Sequence, residues 1–136
     1  MLRSFIYTAF FTLLLTGCYD SCAPSDKYIS VFFKNQGDND IHLFYKINSI
    51  SNNHIFTFKN EEFDASNKLA PGYIRSEEDL FLPNFYKEGN AVSYEISFYA
   101  GRSGVVFKSV TDIFIKASIN KFEVIWDGTN LEVSSF

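Results

Sequence analysis

Alternation of apolar and polar residues is the feature that most constrains this chain. It is clearest in AVSYEISFYA, residues 91–100, where every second residue is apolar: Val92, Tyr94, Ile96 and Phe98. Because successive side chains of a β-strand point to opposite faces, this period of two predicts a strand with one buried and one wet face. Strands of this kind are typical of antiparallel sheets that pack one side on a core.

The same pattern recurs from residue 26 onward and predicts about seven to nine short strands. The segment KNQGDND around Gly37 has the composition of a turn, so residues 28–47 are predicted to form a hairpin. A second hairpin is predicted at Asp127-Gly128, with Trp126 buried on the strand before it. The segment DIFIKASI is predicted to be a strand with these residues on one face: Ile113, Ile115, Ala117 and Ile119.

One segment departs from the alternation. Ser76 followed by Glu77-Glu78-Asp79 resembles a helix start, with serine as the N-cap and an acid three residues on. Pro83 would end such a helix after little more than one turn. We therefore expect a short helical turn within an irregular connection from about residue 60 to residue 90.

These patterns predict an all-β fold, an antiparallel β-sandwich with an immunoglobulin-like or transthyretin-like outline. The alternative is a small closed β-barrel. An outer-membrane barrel is excluded because counting back by twos from Phe136 gives Ser134, Glu132 and Asn130, which cannot form a lipid-facing stripe.

The N-terminal segment has a different character. Arg3 precedes eleven uncharged residues, 5–15, which is too short for a bilayer span of about 20 residues but typical of a signal peptide. The sequence Leu15-Thr16-Gly17-Cys18 that follows resembles the lipobox of bacterial lipoproteins. That resemblance implies cleavage before Cys18 and lipidation of its thiol.

The resemblance implies a signal peptide (residues 1–17) and a lipidated tether (residues 18–25), and the alternation predicts a single β-sandwich domain after them (residues 26–136). Acyl chains such as palmitate on Cys18 would hold the protein at a membrane of the bacterial cell envelope. By resemblance to the sorting rule of enteric lipoproteins, a residue other than Asp after the lipidated cysteine, here Tyr19, favours the outer membrane over the inner in a Gram-negative cell. Cys22 would then lack a partner for a disulfide within the chain.

Composition narrows the possible functions. The net charge is −4, and it becomes one unit more negative without Arg3, so binding to nucleic acid is not expected. The chain has two histidines, His42 and His54, whose spacing does not fit a structural zinc site. Nucleophile-elbow, P-loop and dinucleotide-binding motifs are absent from the sequence. We therefore predict a protein that is not an enzyme and has no catalytic residues, metal site or cofactor.

Two loops carry the candidate interaction residues. Phe85 and Tyr86 lie in LPNFYKEGN, residues 82–90, and would give a recognition surface if exposed, or cap an open end of the sandwich if folded back. Arg102, in a tight turn, is a donor suited to a carboxylate, or simply a solubilising turn residue.

The predicted function is that of an envelope lipoprotein with a non-enzymatic interaction or structural β-domain. The alternatives are a carrier of a lipid or other hydrophobic ligand and an inhibitor or immunity lipoprotein. The expected partners are the membrane, through the N-terminal lipid, and an envelope protein or glycan.

Overall fold

The computed structural model describes residues 27–51, 54–59, 62–83, 85 and 93–136. Within these ranges no α-helix is present, and a 3₁₀ turn lies at Ala65–Asn67. Nine strands follow one another along the described parts of the chain: β1 Lys27–Asn35, β2 Ile41–Ser51, β3 His54–Lys59, β4 Lys68–Leu69, β5 Ile74–Leu82, β6 Ser93–Arg102, β7 Val105–Phe114, β8 Lys121–Trp126 and β9 Leu131–Ser135.

The strands form two open sheets. The first sheet has the order β5-β1-β8-β9, and the second has the order β3-β2-β6-β7, with β4 pairing to β2 beside β3. Every strand pair is antiparallel except β1 with β8, which is parallel. Neither sheet closes on itself, so the predicted β-sandwich is confirmed and the alternative of a closed barrel is wrong.

Aromatic residues fill the space between the sheets. Phe33 of the first sheet meets Phe98 of the second edge-on at 6.2 Å between ring centroids, and Phe122 lies 5.5 Å from Phe98. Burial alternates along β1 and β8 as the sequence predicted, because each strand presents one face to this core. Trp126 is 5% exposed, which confirms its predicted burial.

The predicted hairpin over residues 28–47 is wrong. β1 belongs to the first sheet and β2 to the second, so residues 36–40 cross from one sheet to the other. Both strands bury one apolar face in the same core, but they approach it from opposite sides. Alternation reports which face is buried, whereas it does not report which strand is the hydrogen-bonded neighbour.

The predicted helical turn after Ser76 is also wrong, and much of the predicted irregular connection is strand. Residues Ile74–Leu82 form β5, which pairs with β1. The register shifts between Ile29 and Val31, so that Glu78 and Asp79 together stand opposite Ser30 in a β-bulge. Pairing along an open edge of β1 outweighs the weak local helix signal of the acidic residues.

The segment Ile113–Ile119 is not one strand. β7 runs from Val105 to Phe114 and contains only the first three residues of the predicted strand segment, Asp112, Ile113 and Phe114, after which the chain turns towards β8. Ile115 is buried and Ile119 packs against the core from outside the strands. The regular spacing of the apolar residues therefore reflects burial against the core, although Ile115 and Ile119 lie in a connection and not in a strand.

Candidate binding cleft

Three connections meet at one end of the sandwich. Residues 36–40 follow β1, residues 103–104 follow β6 and residues 127–130 follow β8. We call this the loop end. β4 reaches the same end because Leu69 pairs with Ile41 at the start of β2. The opposite end, where β1 begins at Lys27, is called the tether end because residue 26 and the predicted tether precede it.

Two of these connections are tight turns. Ser103 and Gly104 both have positive φ, 52° and 80°, which is the conformation of the commonest two-residue hairpin turn. In the other turn, one carboxylate oxygen of Asp127 accepts hydrogen bonds from the backbone N–H groups of Thr129 (2.7 Å) and Asn130 (2.6 Å). Donation from Asn130 and Thr129 holds the pKa of Asp127 below its usual value, so its carboxylate stays ionised and the turn stays closed.

The side chain of Asn35 holds the loop end together from inside the sandwich, and we call this set of hydrogen bonds the Asn35 brace. Its side chain is 1% exposed, and Nδ2 donates to the carbonyl oxygens of Asn39 and Leu69, both at 2.8 Å. Its Oδ1 accepts from the backbone N–H of Gly37 at 2.9 Å. The buried amide of Asn35 therefore holds both ends of the 36–40 connection in place and joins the connection to β4.

A close backbone approach joins the 36–40 connection to the 127–130 turn. A Cβ placed on Gly37 would lie 2.9 Å from the Cα of Gly128, closer than real Cβ atoms come. Gly128 itself has a φ of 101°, which favours glycine. Together with the Asn35 brace, this contact fixes the relative positions of two loops before any ligand arrives.

The braced loops form an open cleft with two adjoining lobes, which share Asn39 and Arg102. The lobe nearer β8 has a volume of about 360 Å³, and the lobe nearer β4 has a volume of about 440 Å³. We call it the Arg102 cleft, and its lining consists of Asp38, Asn39, Asp40, His42, Lys68, Arg102, Ser103, Phe107, Trp126, Gly128 and Thr129.

Arg102 is held in place by a backbone group. Its Nε and Nη2 both donate to the carbonyl oxygen of Asp40, at 2.9 Å and 2.6 Å. Its guanidinium carbon lies 5.8 Å from the centre of the Phe107 ring. Among the residues that the structure describes, Nη1 makes no hydrogen bond, so an oriented guanidinium keeps donors for a ligand.

Phe107 owes its position to a bulge. Val106 pairs with Gly101 and Lys108 pairs with Ala100, so Phe107 is an extra residue on β7 without a direct partner. A Cβ on Gly101 would collide with the carbonyl oxygen of Val105, so the bulge requires glycine there. The Phe107 ring is 46% exposed beside the cleft.

His42 lies in the lobe of the cleft nearer β4, and its imidazole ring is neutral. Its Nδ1 is buried and has no hydrogen-bond partner within the described ranges. Burial is the main cause that lowers the pKa of His42, and the nearby charges of Lys68 and Arg102 lower it further, while Asp40 opposes them. The Asp40 carboxylate lies 3.4 Å from the Lys68 ammonium, so it pairs with a cation and not with the imidazole.

The structure separates the predicted interaction residues. Phe85 is 7% exposed and stacks on Tyr94 at 5.9 Å, as in the alternative in which the ring folds back to cap the sandwich. It lies at the tether end, whereas Arg102 lies at the loop end. Tyr86 is outside the described residues, and so is Cys18.

Lys27 closes the tether end against Phe85. Its ammonium donates to the carbonyl oxygens of Lys116 (2.8 Å) and Ala117 (2.6 Å) and lies 4.9 Å from the centre of the Phe85 ring. Burial lowers the pKa of Lys27. The first described residue is thus fastened to the loop before β8.

Sequence reasoning found Arg102 but missed its neighbours. The composition of the GDND segment, residues 37–40, predicts a hairpin turn, whereas its polar side chains line the cleft. Phe107 was missed because alternation alone cannot locate a bulge. Lys68 could not be found, since nothing in the sequence places β4 beside β2.

Within the described ranges, no three His, Cys, Asp or Glu side chains lie close enough together to share a metal ion. None of the helical segments in that part of the chain has the length and apolar character needed to cross a membrane.

No family model matches this chain, and no curated protein matches it. One similar solved structure is a disulfide-locked mutant of intermedilysin with human CD59, with 8% identity and a TM-score of 0.40 over 82% of this chain and 24% of that one. Another is described as the sugar-binding protein pneumolysin, with 9% identity and a TM-score of 0.42 over 80% of this chain and 23% of that one. The chain thus spans about a quarter of either length, and TM-scores this low do not establish a common fold.

Proposed function

We propose that this protein is a lipid-anchored lipoprotein of the bacterial cell envelope, with a non-enzymatic β-sandwich that recognises a ligand in the Arg102 cleft. The supporting observation is the position of the cleft at the loop end, opposite Lys27 at the tether end. At about 3.3 Å per residue, the nine residues of β1 separate these ends by roughly 30 Å.

The proposed anchor fits this arrangement. Residues 18–26 between the lipobox cysteine and Lys27 could extend at most about 30 Å. Lipid on Cys18 would then leave the domain outside the headgroups, with its loop end free to turn away from the membrane. The acidic chain adds no electrostatic attraction to anionic lipid, so the anchor alone supplies the membrane contact.

The geometry of the cleft favours binding over catalysis. Ser103, His42 and Asp40 line one lobe, which are the residue types of a hydrolase triad. In a triad, however, the carboxylate accepts a hydrogen bond from Nδ1 of the histidine and so orients the ring. Here Nδ1 of His42 has no partner within the described ranges and the Asp40 carboxylate faces Lys68. The imidazole is therefore not oriented as a general base.

The packed core argues against the alternative of a lipid carrier. Phe33, Phe98 and Phe122 are fully buried, and Phe98 of the second sheet contacts both of the others on the first. A lipid chain between the sheets would have to displace these rings, and each buried aromatic contributes about 3–5 kcal/mol to stability. A surface cleft formed by braced loops is the better candidate for a binding site.

Photo-crosslinking in intact cells tests the proposed function. A photoreactive amino acid at Thr129 samples the loop end, and the matched control at Ala117, exposed at the tether end, samples the opposite side. We expect membrane-fraction adducts from position 129 that disappear with Arg102→Ala. Equal adducts from both positions, or adducts insensitive to Arg102→Ala, would contradict a recognition role for the cleft.

A further inference from the structure

The Arg102 cleft combines hydrogen-bond donors with acceptors. Arg102 Nη1 and the ammonium of Lys68 are donors, while the carboxylates of Asp38 and Asp40 are acceptors. The side-chain amide of Asn39, between the two lobes, is both. A ligand that only accepts or only donates would leave part of this lining unpaired, and unpaired polar groups cost binding free energy.

The charges of the lining cancel. Two cations, Lys68 and Arg102, stand against two carboxylates, Asp38 and Asp40, and burial lowers the pKa of His42 so that its ring is neutral. An anionic ligand drawn to Arg102 would face like charge from both carboxylates, and a cationic ligand would face the two bases. The electrostatics therefore favour an uncharged, highly hydroxylated or amide-bearing ligand.

Phe107 supplies an apolar platform at the edge of this polar lining. Its ring is 46% exposed and is held beside Arg102 by the bulge in β7. The face of an aromatic ring is negative, so it attracts the weakly positive C–H groups on one face of a pyranose ring. The same sugar presents hydroxyl groups at its rim, each of which both donates and accepts.

We infer that the Arg102 cleft binds a neutral saccharide, stacked on Phe107 and hydrogen-bonded to Arg102 and Asp38; this inference rests on the proposed recognition function. The braces by Asn35 and by the Gly37–Gly128 contact support it, because a preformed site loses less entropy when it binds a small polar ligand. A cleft of about 440 Å³ beside one of about 360 Å³ has room for a short oligosaccharide.

An oligosaccharide array tests the inference directly. The full-length lipidated chain, solubilised in detergent, is applied to immobilised neutral oligosaccharides of glucose, galactose, mannose and N-acetylglucosamine. Sialylated, sulfated and uronic-acid oligosaccharides on the same array serve as acidic counterparts. We expect binding to one or more neutral glycans and none to the acidic ones.

Variants connect the binding to the cleft. Arg102→Ala and Phe107→Ala should each weaken the affinity for the bound glycan by about tenfold or more, because each removes one of the two recognition elements. Phe114→Ala is the matched control, since Phe114 is 48% exposed on the same strand but distant from the cleft. Thermal melts show that each variant is folded.

Three results would overturn the inference: no glycan bound, binding restricted to acidic glycans, or a Phe107→Ala affinity equal to that of the wild type. Crosslinking distinguishes this failure from failure of the proposed function. Adducts of a protein from position 129 that depend on Arg102, together with an empty array, would leave the recognition function standing and exclude a saccharide. Loss of both signals would contradict both proposals.

Discussion

Arg75 fastens the two sheets together at their open side. It lies on β5 of the first sheet, and Nη2 donates to the carbonyl oxygen of Leu43 on β2 of the second sheet at 2.7 Å. Nη1 donates to the carbonyl oxygen of Ser66 at 2.9 Å, and the guanidinium lies 4.6 Å from the centre of the Phe33 ring. Arg75 therefore joins the two sheets through side-chain hydrogen bonds at this edge.

We expect Arg75→Lys to lower the free energy of unfolding by about 1–3 kcal/mol. Lysine lacks the planar fork with which Arg75 donates from Nη1 and Nη2 to carbonyl oxygens on two different elements, so at least one of these acceptors loses its donor. Urea denaturation of Arg75→Lys beside Arg102→Lys is the measurement, with the second variant as the control at the last residue of β6, whose hydrogen bonds to Asp40 are exposed. Equal stability of the two variants would show that Arg75 does not join the sheets.

His42 makes stability depend on pH. Its pKa is lowered from 6.5 in the folded state by burial first and then by Lys68 and Arg102, so the unfolded chain binds a proton more readily. The contribution of His42 is therefore complete above the unfolded pKa and is lost as pH falls towards the lowered folded pKa.

The wild type should accordingly lose stability between about pH 7.5 and about pH 5.5, and His42→Gln should lose less over the same interval. Denaturation curves at both pH values measure the difference. His54→Gln is the control because it makes the same chemical change at the other histidine. A pH dependence unchanged by His42→Gln would mean that this ring does not titrate as described.

At the scale of the elements, the loop end depends on the Asn35 brace. Asn35→Ala leaves the carbonyl oxygens of Asn39 and Leu69 and the N–H of Gly37 without the amide that pairs them. We expect a loss of at least about 2 kcal/mol in the free energy of unfolding. Hydrogen exchange should also become faster at Gly37.

Asn130→Ala is the matched control for this brace, since its exposed amide makes only a 3.4 Å contact with Asp127. Its effect should stay within about 0.5 kcal/mol, as for most surface substitutions. If Asn35→Ala were as stable as Asn130→Ala, the brace would not organise the loop end.

β5 shows why the fold could be predicted only in part. Its polar residues, beginning Ser76-Glu77-Glu78-Asp79, satisfy a helix-start pattern, yet the segment is an edge strand with one half-buried face. The buried faces of β1, β6 and β8 were predicted, because alternation depends on local geometry alone. Strand neighbours depend on pairing between distant segments, which the pattern does not encode.

The same distinction holds for the cleft. Arg102 and the polar run around Asp38 are visible in the sequence, but they lie more than sixty residues apart and meet only because β1, β6 and β8 end at the same place. The bulge that exposes Phe107 and the approach of Lys68 follow from pairing register. Predicting the site therefore requires the topology first.

The bulge in β5 provides its own test. Asp79 adopts a φ of 57°, a conformation that costs most residues free energy and costs glycine little. Asp79→Gly should therefore leave stability unchanged or raise it by up to about 1 kcal/mol, whereas Asp79→Val should lower it by about 1–3 kcal/mol. Thermal denaturation compares the two; a valine variant as stable as the glycine variant would be inconsistent with a bulge at this position.

At the scale of the whole molecule, the two ends of the sandwich differ in chemistry. The tether end is closed by Lys27 over Phe85, whereas the loop end carries an open cleft with polar groups and one exposed ring. Under the proposed function, the first end faces the anchor and the second faces the ligand. Loss of the anchor should therefore release a folded domain that still binds its ligand.

The most direct test of the account is metabolic labelling with palmitate in the native host. The lipobox chemistry requires a thiol after Thr16-Gly17, because a serine hydroxyl is a far weaker nucleophile than a thiolate. Cys18→Ser should abolish labelling and accumulate uncleaved precursor, whereas the matched variant Cys22→Ser should be labelled and processed like the wild type. Equal labelling of the wild type and Cys18→Ser would contradict the proposed anchoring.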